Sequence, residues 1–396
     1  MNILVINAGS SSLKSSIFNF SLKSDPLWSA ELDFGQGTGQ AVLTTTTSSS
    51  TNVQKNIKLQ TLEHSFELVF ETAWKGKDAI FNSPSEIQIA AHRIVHGGDQ
   101  LTKPTRITEE TKNQIQQLQH LAPLHNPANL KGIEIAEKLF PKIPQFAVFD
   151  TAYHATLSEA VRTYPLPEEF RKLGIQKYGF HGISHQYCTE KAFELASNKF
   201  KAEKILTCHL GNGSSLAASI KGRCIDTTMG FTPLDGLMMG SRCGALDPGA
   251  LIHLLREKNF SMTELEDILY YKSGFVGICN ASDMRSIEEK IDNGNEKAIL
   301  ALKMYIHRLQ SYIGSMTAVM DGLDVLVFTA GIGENSKRVR QEICKGLTHL
   351  GISLDNHLNL NCIPDQDIAS ASSRIPILVI HTREDYAIAK KVCNLL

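Results

Sequence analysis

The chain has 396 residues, more than one compact core accommodates, so length alone points to two or three domains. Its 40 lysines and arginines against 41 aspartates and glutamates leave a net charge of −1, which argues against nucleic acid or an anionic membrane as a partner. The 42% apolar and 20% charged residues are an ordinary soluble balance, no apolar run is long enough to span a bilayer, and the N-terminal apolar run lacks the basic region of a signal peptide.

The chain opens with Ile3-Leu-Val-Ile6, then Asn7-Ala-Gly-Ser-Ser-Ser12, Lys14 and the strand-like Ser16-Ile-Phe18. This reads as strand, Gly/Ser turn, strand, a pattern that aims backbone N–H groups and hydroxyls at one spot and suits an anion. The same pattern returns at Ile205-Leu206, Cys208-His-Leu-Gly-Asn-Gly-Ser-Ser215 and Leu216-Ala-Ala-Ser-Ile220. Two such hairpins, half a chain apart, suggest a duplicated fold with one phosphate loop per half. Taken alone, they fit two unrelated β-turns equally well.

Between them, residues 35–56 are rich in Gly, Thr and Ser, and the run Thr44–Thr51 reads as an exposed loop or a Thr-rich edge strand. Ile87–Ala91 is strand-like and leads into His92-Arg-Ile-Val-His-Gly-Gly98, where Arg93 is either a ligand for a carboxylate or phosphate or a surface salt bridge. Thr108-Glu-Glu110 starts a helix with Ile115, Leu118 and Leu121 on one stripe, broken at Pro123–Pro127. A second helix is expected over about Asn129–Phe140. Phe146–Phe149 is a buried strand, and Asp150 just past it is a metal-handling or catalytic acid, or a turn cap.

Tyr178-Gly-Phe-His-Gly-Ile-Ser-His185 sets two histidines beside glycines. His181 is a close ligand contact, a weakly supported zinc ligand or a core histidine. Residues 226–244 have glycines, a proline and no periodicity, the mark of a structured functional loop, and offer Arg242 as a second cation. Ser282-Asp-Met-Arg285 follows what reads as a turn. Glu296 to about Met320 is one amphipathic helix with Leu302, Tyr305, Leu309, Tyr312, Met316 and Val319 in its stripe, facing core or a subunit interface. Val325–Phe328 is a buried strand, and Thr329–Ser336 a glycine turn opening a helix, a nucleotide-binding geometry. Ile377–Ile380 is a strand, and Thr382-Arg-Glu-Asp385 caps the last helix, so Glu384 is a capping residue or part of a metal's shell. The eight cysteines form no CxxC or metal spacing and read as reduced, cytoplasmic thiols.

Together, Asn7–Lys14, His92–Gly98, Phe149–His154, Tyr178–Gly182, His209–Gly213, Asp226–Arg242, Ser282–Arg285 and Gly331–Asn335 make the chain resemble the acetokinase family, within the acetate and sugar kinase, Hsp70 and actin superfamily. The resemblance covers nearly the whole length. It implies an α/β, duplicated actin-like ATPase fold, with mixed central sheets in two domains and a nucleotide cleft between them. The expected domains are 1–150, completed by the C-terminal helix 383–396, and 151–382. The implied activity is reversible transfer of the ATP γ-phosphoryl group to acetate. Propionate or butyrate are alternative substrates, and an actin- or Hsp70-like ATPase switch is the alternative of another class.

By the same resemblance, Asp150, His181 and Arg242 are the catalytic residues, and Arg93 binds the substrate carboxylate. Lys14, His209, Leu210, Gly211, Asn212, Gly213, Asp283, Met284, Arg285, Gly331, Ile332, Gly333, Glu334 and Asn335 bind nucleotide. Asn7 and Glu384 hold Mg²⁺, or Mn²⁺ in its place, through water. ATP and ADP are co-substrates and a homodimer is implied. Val95, Leu124, Phe180 and Pro233 are expected in the wall of the acyl pocket. Cys243-Gly-Ala245 stands where many members carry Ser-Gly-Asp.

Overall fold

The structure, a computed structural model, describes residues 1–9, 12–20, 25–34, 40–47, 53–58, 61–76, 79–196, 202–257 and 260–396. Ser10, Ser11 and residues 48–51, which belong to two of the stretches singled out above, lie outside the described residues. The chain divides into one unit of Met1–Ala152 with Arg383–Leu396, and a second of Tyr153–Thr382.

The first unit is built on strands β1 (Asn2–Ala8), β2 (Ser12–Asn19), β3 (Trp28–Asp33), β4 (Gln40–Thr47), β5 (Val53–Lys58), β6 (Ile89–Ile94), β7 (Thr105–Arg106) and β8 (Gln145–Phe149), ordered β5-β4-β3-β2-β1-β6-β8-β7. Ile3, Leu4, Val5 and Ile6 are all buried, so β1 is covered on both faces. Leu4 and Ile6 pack with Phe66, Phe70 and Ile135 of the helices Leu62–Glu71 and Asn126–Leu139. The C-terminal helix Glu384–Cys393 also lies against β1 and β6.

The second unit is built on β9 (Lys204–Leu210), β10 (Ser214–Ile220), β11 (Arg223–Thr227), β12 (Val325–Thr329), β13 (Gln366–Asp367) and β14 (Ile377–Val379), ordered β11-β10-β9-β12-β14-β13. The pairings along it run antiparallel, antiparallel, parallel, parallel, antiparallel. The series β3-β2-β1-β6-β8-β7 of the first unit has the same senses in the same order. The fold is therefore a duplicated α/β unit with mixed sheets, and β4 and β5 are an addition to the first copy. Each copy places its first hairpin turn beside the ends of two parallel strands, where α/β proteins gather ligands.

Several elements differ from the sequence expectation. The second helix begins at Asn126, because Pro127 falls in its first turn, where no N–H is needed. Thr44–Thr47 lie in β4, a strand paired with β3 on one side and β5 on the other, so this described part of the run is not on an edge strand. Strand β6 extends to Ile94 and takes in Arg93. Residues Ala330–Asn335 are themselves a short helix, entered through Ala330 at φ 65°, and Ser336 caps the next one, Lys337–Lys345. Val319 is exposed, so the stripe of Glu296–Val319 runs instead through Ala301, Leu302, Tyr305, Leu309, Ile313 and Met316, all in the core of the second unit. Arg383, not Thr382, occupies the cap position of the last helix, and its side chain makes no capping bond.

Candidate active site

In the first unit, the parallel pairing of β6 with β8 sets Arg93 opposite Val148, and Asp150 follows directly with its N–H donating to the Ile94 carbonyl at 3.0 Å. Arg93 then meets Asp150 as a two-pronged ion pair, Nη2 to Oδ2 at 2.5 Å and Nε to Oδ1 at 3.1 Å, while Nη1 donates to Asn7 Oδ1 at 3.3 Å. Asp150 is 1% exposed. Burial disfavours the Arg93 charge, but Asp150, Glu384 and Asp385 more than offset this and hold the guanidinium charged. Three of its five N–H groups are engaged, leaving two for an anion.

Glu384 is the first residue of its helix and Asp385 the second, where the helix dipole favours acids. Burial raises Asp385, while Ser16 Oγ, donating at 2.7 Å, opposes that. Asp385 was not singled out in the sequence; its adjacency to Glu384 was the available signal. Lys14 pairs with Glu31 across β2 and β3 at 2.7 Å, and both are half exposed. Val95 and Leu124 are half-buried members of this unit.

In the second unit, three distant segments meet at one cavity of about 450 Å³. Its lining comes from the β9–β10 turn (Gly211, Asn212), from Ser282–Arg285 with Glu288, and from Gly331, Ile332, Asn335 and Ser336. Every segment expected to bind nucleotide in this unit reaches it. Ser282, Glu288 and Ser336 were not among the expected residues, and Ser336 donates to Glu288 at 2.5 Å.

Not every expected side chain is free to line it. Leu210 is fully buried in the core. Glu334 turns inward: Oε1 accepts from the Ala330 and Thr382 N–H groups, and Oε2 meets His381 Nδ1 at 2.6 Å. The Asp283 carboxylate caps the helix Met284–Asp292 through the N–H groups of Arg285 and Ser286. The segment follows a helix, Gly274–Cys279, and not a turn. Arg340, 2% exposed, donates to the carbonyls of Gly333 and Glu334 and so holds the end of the short helix. That role has no sequence signal, since it depends on the chain turning back on carbonyls six and seven residues earlier.

His181 adopts φ 56°, unusual for a residue with a side chain, and its ring stacks on His209 with centroids 4.2 Å apart. A Cβ built on Gly213 would lie 3.2 Å from His181 Nε2 and 3.6 Å from Arg242 Nη1, so both side chains converge on this glycine. Arg242 Nη1 donates to the Pro233 carbonyl at 3.1 Å, and no carboxylate among the described residues pairs with this guanidinium. Burial lowers its affinity for the proton without an acid to compensate. Phe180 is 1% exposed and Pro233 is buried. No group of three or more His, Cys, Asp or Glu side chains among the described residues is arranged to hold a metal.

The Arg242 loop is seated on the helix Gly274–Cys279. The N–H groups of Ser273, Phe275 and Val276 donate to the carbonyls of Ser241, Met239 and Gly240 at 3.0, 3.0 and 2.9 Å. Gly274 has φ 59°, and a Cβ there would lie 2.1 Å from the Met239 carbonyl and 2.7 Å from that of Arg242. Gly274→Ala is expected to shift this loop and lower kcat by about 10-fold or more, in line with the sensitivity of turnover to small misplacements of catalytic groups. Steady-state kinetics on a variant whose melting shows it folded makes the check, and unchanged turnover would refute the seating role.

Two buried histidines predict an acid limit on stability. Burial lowers His92 to about 4, partly opposed by its bond to Gln145, and lowers His154 to about 4 as well. The unfolded chain binds these protons near the ordinary value of about 6.5. Stability is therefore insensitive to both groups above that pH and falls as pH drops from there towards 4. Melting by fluorescence should be flat between about pH 8 and 7 and decline below about 6; a flat profile down to pH 4.5 would contradict it.

A family model described as the acetokinase family matches residues 2–390. The acetate kinase of Rippkaea orientalis is 46% identical over 405 residues, covering 100% of each chain. Among solved structures, Porphyromonas gingivalis acetate kinase superposes with a TM-score of 0.91 at 36% identity, covering 100% of this chain and 99% of that one. A propionate kinase from Francisella tularensis superposes with a TM-score of 0.92 at 36% identity, covering 100% of both.

Proposed function

The chain belongs to the acetokinase family, and from that premise we propose that it reversibly transfers the γ-phosphoryl group of ATP to acetate, giving acetyl phosphate and ADP. The observation that carries this reading is Arg242, a half-buried cation without a carboxylate partner among the described residues, beside His181 at the Gly213 turn. Such a pair suits an anion that gathers charge on its equatorial oxygens, as a transferring phosphoryl group does.

Acetate is ionised at neutral pH, so no base is needed to create the nucleophile. Arg93 would bind its carboxylate through the two donors left over. Asp150, spent on the guanidinium, orients that fork and abstracts no proton. Gly211, Asn212, Asp283–Arg285, Gly331, Ile332 and Asn335 would cradle the nucleotide, with Lys14 as a further cation for its phosphates. Positioning and charge stabilisation then suffice for direct in-line transfer.

Mg²⁺ fits the oxygen donors Asn7, Glu384 and Asp385, since it binds few protein ligands and keeps several waters. When bound, it would neutralise phosphate charge. Mn²⁺ can take the same oxygen set.

No helix among the described residues is long and apolar enough to cross a membrane. We propose a cytoplasmic location on the eight cysteines, which read as reduced thiols. We also propose a homodimer. The stripe of Glu296–Val319 is used in its own core, which leaves exposed side chains such as Ile252, Met262 and Tyr271 for the contact.

Propionate is the second reading, favoured by the likeness to the Francisella tularensis propionate kinase. One methylene changes discrimination by only about 1–3 kcal/mol. Trapping acyl phosphate with hydroxylamine, using ATP, Mg²⁺ and matched acetate, propionate and butyrate, tests both. Acetate should give the strongest signal. A stronger propionate or butyrate signal changes the substrate, and ATP hydrolysis without any trapped product favours an ATPase switch.

A further inference from the structure

A line of hydrogen bonds runs behind His181 through β9 and β10. His181 Nδ1 lies 2.9 Å from Ser215 Oγ, and that hydroxyl lies 2.7 Å from His185 Nε2. His185 Nδ1 lies 2.7 Å from Thr207 Oγ1, which donates to the Ala217 carbonyl at 3.2 Å. Ser215, His185 and Thr207 are fully buried.

The line has a direction. A carbonyl oxygen only accepts, and a hydroxyl has one proton to give. Thr207 gives its proton to Ala217 and so accepts from His185 Nδ1–H. Burial keeps His185 neutral, with His154 and His209 pushing the same way. A neutral imidazole protonated at Nδ1 accepts at Nε2, so Ser215 donates there and accepts from His181 Nδ1–H. The opposite direction spends the Thr207 proton on His185 and forfeits the bond to Ala217.

We propose that Ser215 and His185 are positioning residues that keep the His181 proton on Nδ1 and turn its Nε2 edge towards Gly213, where the transferring phosphoryl group is received. The inference rests on the role given to His181 under the proposed function. Phosphoryl oxygens accept hydrogen bonds, so His181 serves them when Nε2 is protonated too. Nδ1–H is held by Ser215 in both forms, and gaining the second proton therefore moves no other group.

The test combines histidine ¹⁵N NMR, in which protonated and bare ring nitrogens have distinct shifts, with steady-state kinetics on the full chain. The wild type should show His181 protonated at Nδ1 and bare at Nε2. In Ser215→Ala and His185→Leu, both tautomers should appear, and kcat should fall about 10-fold or more with little change in either KM, because Nε2 loses the basicity that the Nδ1–H bond to Ser215 gives it and the ring loses its hold. His185→Gln keeps an oxygen acceptor for the Ser215 proton and should retain the tautomer and most of kcat. Thr207→Val, nearly isosteric and remote from the ligand, should relax the tautomers of both histidines; it serves if Ser215→Ala does not fold.

A wild-type His181 bare at Nδ1, or wild-type shifts and kcat in Ser215→Ala, overturns the proposal. Normal turnover in His181→Ala is a separate failure. It would remove His181 from phosphoryl transfer and the purpose of the line with it, whatever tautomer the spectra show.

Discussion

Arg242→Ala is expected to lower kcat by about 10³-fold or more, the range found when an arginine that stabilises a transferring phosphoryl group is lost. The size follows from what Arg242 lacks in the resting protein. Among the described residues its oxygen partner is the neutral Pro233 carbonyl, so the guanidinium enters the reaction with its charge uncommitted. Stability should change little, because no buried anion is left behind. Arg242→Lys keeps the charge but not the planar fork and should recover only part of the loss. Near-normal turnover in Arg242→Ala, measured on folded enzyme, would remove this residue from the mechanism.

Asp150→Ala is expected to cost stability as well as activity. Arg93 would stay largely enclosed, having lost both prongs of its ion pair, and breaking such a pair from one side typically costs about 3–5 kcal/mol. Glu384 and Asp385 also act on the guanidinium, which places the expected loss towards the lower end. Activity should fall mainly through a raised KM for acetate, because the fork that receives the carboxylate is no longer aimed. Asp150→Asn keeps an acceptor oxygen and should lose less stability. Replacing Arg93 and Asp150 together by apolar residues should restore much of the stability and none of the turnover. Denaturant unfolding of the three variants makes the comparison; an Asp150→Ala protein as stable as wild type would show that the pair does not hold this region.

The sequence by itself carried the elements whose cause is local. Ile3–Ile6 and Val325–Phe328 are apolar and mostly β-branched runs that need cover on both faces. The stretches around residues 9 and 211 pair short strands through Gly/Ser turns, and Glu296–Val319 repeats its apolar residues at the helical period. Asp150 and Glu384 were visible for the same reason, since they follow the runs Phe146–Phe149 and Ile377–Ile380, whereas Arg242 stood out only as a cation in an aperiodic loop.

What tertiary structure decided is how those residues are spent. Asp283 and Glu334 look like ligand groups in a motif, yet their oxygens are taken inside the fold: Asp283 by two N–H groups of its own helix and the Ser286 hydroxyl, Glu334 by the N–H groups of Ala330 and Thr382 and by His381. Gly274 holds the Arg242 loop because a carbonyl from 35 residues earlier in the chain occupies the space of its Cβ. The line from His181 to Thr207 needs the antiparallel register that places Thr207 opposite Ala217, beside a helix that brings His185 to both strands. The two hairpins hinted at a duplication, but the matching strand order that carries it is a property of long-range pairings. Local periodicity reports which face of an element is buried; which buried polar atom meets which depends on register and crossings between segments far apart in the chain.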